Sequence, residues 1–195
     1  MIRIALVLVM AAASATIPAL ARAANVTYVV DPAHTYPSFE ADHMGISTWR
    51  GKFDKSSGTI VMDRAAGTGT VSIQVETKSV DFGLGKMDEA ARTDELLDVA
   101  KYPVAEFKGK LEGFDKFGKP ARAVGTLSLH GVKKPVALEI RKFKCMPHPM
   151  FKREMCGADA YVTINREDYG MTAGKDYGFD MNVELRIQVE AIAVE

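Results

Sequence analysis

The stretch Lys144 to Cys156, KCMPHPMFKREMC, holds both cysteines of the chain, with His148 between them. Thiol and imidazole so close together suggest three chemistries: a metal site, a dithiol redox pair, or a covalent staple. A metal site would have only three soft ligands here, at a spacing that matches no common zinc pattern. A redox pair favours C-x-x-C, which is absent. In an oxidising compartment two cysteines most often form a disulfide, so a Cys145–Cys156 staple is the favoured reading, with metal and redox sites as its rivals. The flanking runs RKFKC and CGADAYVTI both read as strands, so the bridge would cross a hairpin.

The other histidines, His34, His43 and His130, fit no metal motif, and no metal or cofactor is expected. His43 has the strand parity of Phe39 and Ala41, so it is either a hydrogen-bonded structural histidine or a polar handle at a cavity mouth. The pairs His43 with Asp42 and Ser128 with His130 are the candidates for acid–base or nucleophilic work. Neighbours on a strand point to opposite faces, which argues against both pairs and against an enzyme. There is no G-x-S-x-G elbow, and no phosphate-binding glycine pattern opens a helix. Arg166 shares parity with Ala160, Val162 and Ile164. A cation after an inward apolar run must be paired or sit where the structure opens, as a salt bridge or as a contact to an anionic or carbonyl head group. Asp88 is its candidate partner.

The elements that must position these residues are strands. Val71, Ile73 and Val75 alternate with Ser72, Gln74 and Glu76, and Met181, Val183, Leu185, Ile187, Val189 and Ala191 alternate with polar residues. The same period-two pattern recurs with Phe107 and Leu111, with Leu127 and Leu129, and with Val136, Leu138 and Ile140. Turn clusters such as DKSSG, AAGTG and DKFGKP punctuate the runs. This spacing predicts an all-β fold of about eight antiparallel strands. The exception, roughly residues 84–100 (LGKMDEAARTDELLDVA), is rich in helix formers and predicts a short helical excursion that Pro103 ends.

The chain opens MIRIALVLVMAAASATIPALARA, an early arginine, an apolar run and small residues before Ala23, which reads as a secretory signal peptide over residues 1–23. The remaining residues, 24–195, suit one domain. Removing the leader takes away Arg3 and Arg22 and leaves 23 basic residues against 25 acidic ones. With no basic run, nothing marks the surface for nucleic acid. No later segment has transmembrane length. Oligomeric state is silent in the sequence, and a homodimer is allowed for.

Taken in order, YVVDPAHTYPSFEADHMGISTWRGKF, ETKSVDFGLGKMDEAARTDELLDVAKYPVAEFKG, VGTLSLHGVKKPVALEI and INREDYGM resemble the YceI-like family over nearly the whole mature chain. The resemblance implies a lipocalin-like antiparallel β-barrel, exported to the bacterial periplasm. It also implies a polyisoprenoid or similar long-chain amphiphile held inside, without catalysis, and a looser link to stress responses and isoprenoid quinones. Where many members carry RD-x-HL on the helical excursion, this chain has Met87, Asp88, Glu89, Ala90 and Ala91. The aspartate is kept, but the arginine and histidine positions are Met87 and Ala90. The expectation is therefore a less polar head group, or one held by Lys86, Arg92 or Arg166.

The residues expected to line the cavity are Phe39, Ala41, His43, Phe107, Leu127, Val162, Ile164, Arg166, Met181 and Val183. The head-group candidates are His43, Asp88, Arg92 and Arg166. The expected partner is an isoprenoid or other long-chain lipid. The rival to this carrier reading is a packed structural or stress-related module without a cavity.

Overall fold

The computed structural model describes residues 25–194, so the leader expected over residues 1–23 lies outside the described residues. In chain order the strands are β1 (Val26–Val30), β2 (Pro37–His43), β3 (Ser47–Phe53), β4 (Ser56–Asp63), β5 (Thr68–Glu76) and β6 (Val80–Asp81). The helix α1 (Gly85–Arg92) follows, then β7 (Val104–Glu112), β8 (Arg122–Leu129), β9 (Val132–Pro147), β10 (Glu154–Asn165) and β11 (Asn182–Ala193). All pairings are antiparallel, in the order β1-β4-β5-β7-β8-β9-β10-β11, and the pairing of β1 with β11 closes these eight into a barrel.

The twelve-residue β11 carries two neighbours along one edge. Its end pairs with β1, Ala193 opposite Tyr28, and its beginning pairs with β2, Val183 opposite Ala41. The strands β2, β3 and β6 therefore continue the wall beyond the closed ring, and the Asp54 and Glu76 amides donate to Ser79 and Lys55 carbonyls to join the two parts. Between β6 and β7 there is no strand pairing. This side is covered by α1 and the turns after it, tied down by Thr77, which donates its amide to the Pro103 carbonyl and its hydroxyl to that of Tyr102.

The helical excursion is shorter than the sequence suggests. It stops at Arg92, well before Pro103, because Thr93 turns extended and its hydroxyl donates to the Ala90 carbonyl. Leu97 then donates to the Ala91 carbonyl, and Asp98 takes a left-handed conformation with φ of 42°. The rest of the segment is turns. Among the described residues no helix is long and apolar enough to cross a membrane.

The alternating residues face inward as the pattern requires, with one interruption. In β9 the register against β10 shifts, so that Lys142 lies opposite Asp159 but Ile140 opposite Ala160. Arg141 is the extra residue of this bulge, and the inward face passes from Leu138 and Ile140 to Phe143. At one end the inward residues close on each other: Tyr28, Met62, Leu111, Ala123, Leu138, Ile140 and Cys156 form a buried cluster.

Candidate functional site

Past that cluster the barrel is hollow. The cavity has a volume of about 450 Å³, within the range of small-molecule sites. Its wall is built from the alternating strands: Val71, Ile73 and Val75 of β5, Phe107 of β7, Leu127 and Leu129 of β8, and Val183, Leu185, Ile187 and Val189 of β11. The covering segment adds Met87, Ala91, Leu96 and Leu97. The one-turn spacing of Met87 and Ala91 presents both to the interior, so a position that carries arginine in the resembling pattern contributes a thioether to the wall.

Arg166 is the only cationic side chain lining the cavity among the described residues. It sits where β10 ends, and its guanidinium donates to the carbonyls of Met171 at 3.0 Å and Ala173 at 2.5 Å. Burial pulls its pKa below the ordinary arginine value, and the negative charge of Asp180 opposes that shift. Asp180, which also lines the cavity, is thus the acid whose charge reaches Arg166, in place of the expected Asp88. With Asp42, it brings negative charge to the same wall, alongside the aromatic faces of Trp49 and Phe179. The arrangement offers an apolar chamber and one fixed cation with two guanidinium nitrogens held by carbonyls.

Of the other residues singled out from the sequence, Phe39, Ala41, Phe107, Leu127, Ile164 and Val183 line the cavity. Four do not. Val162 packs against both apolar clusters of the barrel. Met181 is buried just before β11, where its carbonyl accepts the Arg166 amide. His43 stacks on Trp49 with centroids 4.0 Å apart and meets Phe179 edge-on, so it supports the lining aromatics from behind. Arg92 donates to the carbonyls of Lys78 and Val80 and straps α1 to β6. Asp88 is also off the wall: its carboxylate accepts the Phe82 amide. Strand parity could reveal none of this for Arg92 and Asp88, which lie on the helix. Asp180 lies in the irregular segment before β11, where no periodic signal exists.

The suspected acid–base pairs are occupied by the fold. Asp42 accepts the Gly45 amide in the β2–β3 turn, and His130 Nδ1 is bonded to the Tyr169 carbonyl. Cys145 and Cys156 stand opposite each other in the β9–β10 register and are joined by a disulfide. Their sulfurs lie near the Glu154 carboxylate, but bonded to one another they are not available as thiolate ligands.

Solved structures share this architecture. BcnA of Burkholderia cenocepacia superposes with a TM-score of 0.68 at 18% identity, covering 83% of this chain and 98% of that one. A polyisoprenoid binding domain from Saccharophagus degradans gives 0.62 at 19% identity, covering 86% and 98%. In sequence, a UPF0312 protein of Vibrio cholerae is 29% identical over 93% of this chain and 94% of its own length. Protein YceI of Salmonella arizonae is 32% identical over 82% of each chain. The YceI-like domain description matches residues 28–191, which reaches every strand of the closed barrel and takes in the segment that covers its cavity, and the chain belongs to that family.

Proposed function

We propose that the protein is a periplasmic carrier or buffer for a polyisoprenoid or similar long-chain amphiphile, such as an isoprenoid quinone, prenyl lipid or fatty-acid derivative. The tail lies in the barrel and the head against Arg166. The observation that carries this reading is the pairing of an apolar chamber with a single lining cation. The relative from Saccharophagus degradans, a polyisoprenoid binding domain, supports the ligand class. The disulfide suits an oxidising compartment, and the leader-like residues 1–23 suit export.

Burying about 15 methylene-sized groups contributes roughly 12 kcal/mol. Association and ordering cost about 4 to 15 kcal/mol, so a net affinity near micromolar follows, with tail length weighing more than head chemistry. A packed module would have no space to fill. Val183→Asp places a carboxylate on the cavity wall and tests the placement: uptake of an apolar fluorescent probe is lost while far-UV circular dichroism stays that of a barrel. Unchanged uptake in the folded variant would overturn it.

A further inference from the structure

The end of the barrel closed by the buried cluster carries two loops that show apolar side chains to solvent. One is the β7–β8 connection, where Phe117 is 73% exposed, and the other is the β9–β10 turn, where Met150 is 76% and Phe151 53% exposed. Arg64 joins them, donating to the Phe117 carbonyl and pairing with Glu154. Both tips are held from within. Asp115 accepts the Phe117 and Lys119 amides, and His148 Nδ1 accepts those of Met150 and Phe151. His148 is buried beneath its turn and Asp115 holds the backbone of the other loop, while the apolar side chains point out.

In these two loops basic residues outnumber acidic ones, Lys116, Lys119, Lys152 and Arg153 against Asp115. Lys116, Lys119, Lys144, Lys152 and Arg153 form no ion pair among the described residues. Of the nearby acids, Glu154 is shared between Arg64 and the Tyr28 hydroxyl, and Asp115, held ionised by the amides it accepts and by Lys119 and Lys116, offsets part of the positive charge. Exposed apolar tips among unpaired cations match a surface that is oily beneath and negative on top.

We propose that this end docks on an anionic phospholipid bilayer, with Phe117 and Met150 entering the interface and Lys116, Lys144, Lys152 and Arg153 meeting the head groups. The proposal does not depend on what the cavity holds.

The test is co-sedimentation of the protein with vesicles of phosphatidylcholine, with and without phosphatidylglycerol. Binding is expected only with phosphatidylglycerol. It should weaken as ionic strength rises from about 0.1 to about 1 M, where the screening length falls from about 10 to about 3 Å. Lys152→Ala with Arg153→Ala is expected to weaken it on the order of 30-fold, from about 1 kcal/mol per basic residue. Phe117→Ser with Met150→Ser should abolish it while probe uptake by the cavity stays normal, since both side chains lie outside the core. No sedimentation, equal binding to both vesicles, or binding unmoved by the tip variants would overturn the proposal. So would a self-association, seen by analytical ultracentrifugation, that the tip variants abolish without any vesicle binding.

Discussion

Phe39 lies over Gly51, its partner across β2 and β3, so closely that a Cβ at residue 51 would come within 2.4 Å of Phe39 Cζ. The backbone at this glycine does not need positive φ; what it supplies is room. Phe39 also packs edge-on against Phe82 at 5.3 Å and tilted against Phe53 at 5.7 Å, and all three rings line the cavity. Gly51→Ala is expected to push the Phe39 ring into the chamber. The fold should survive at a cost of about 1 to 3 kcal/mol, while affinity for the longest tails falls more than affinity for short ones. Equal loss across a tail-length series would remove Phe39 from the wall.

Arg166 differs from the wall around it in charge. Arg166→Gln is expected to weaken binding of an anionic long-chain ligand by about 10-fold or more, from the loss of a charged hydrogen bond, and to leave the neutral alcohol of equal tail length nearly unchanged. Isothermal titration of the matched pair reads this difference. Because Arg166 also holds the Met171 and Ala173 carbonyls, the melting temperature will fall as well, so the ratio of the two affinities is the informative quantity.

The disulfide closes a loop of eleven residues' separation between adjacent strands. The chain-entropy account gives it about 3 kcal/mol, so reduction, or Cys145→Ser with Cys156→Ser, should lower the melting temperature by about 6 to 12 °C in a domain of this size. An unchanged melting temperature under reductant would show that the hairpin is held by packing alone.

Tyr28 is buried, and its hydroxyl donates to Glu154. Burial, and then that hydrogen bond, raise its pKa well above the ordinary tyrosine value. A raised pKa means that the folded protein holds the proton more tightly than the unfolded chain does. The contribution is therefore complete below about pH 10, the unfolded value, and is lost as pH rises beyond it. Tyr28→Phe should cost stability at neutral pH through the lost hydrogen bond, and should show a shallower decline in denaturant midpoint above pH 10. An alkaline limb identical to the parent would assign the decline to other groups.

Much of this architecture is legible in the sequence because a half-buried strand writes its two faces at alternate positions. Val71, Ile73 and Val75, and the run from Val183 to Ala191, need no further information to be placed inward, and the same parity brings Arg166 to the wall. The cysteines could be paired once their flanking runs read as strands. The rest depends on events that break the period. The bulge at Arg141 leaves no mark in composition, yet it decides that Phe143 rather than Lys142 faces inward. The helix is cut short by a single threonine cap. His43 has the inward parity but lies at the strand end, where stacking on Trp49 takes it off the wall. Asp180 shares the cavity wall with Arg166 through chain folding alone, which no local pattern encodes.

The central claim is that the barrel carries a long apolar tail. Mass spectrometry of an organic extract from the protein, isolated without detergent from the cells that produce it, tests it most directly. A stoichiometric isoprenoid or other long-chain lipid, absent from an extract of the Val183→Asp variant, is the predicted result. A clean extract from the parent protein, repeated after it has been offered such lipids, would contradict the claim and leave the chamber without its proposed occupant.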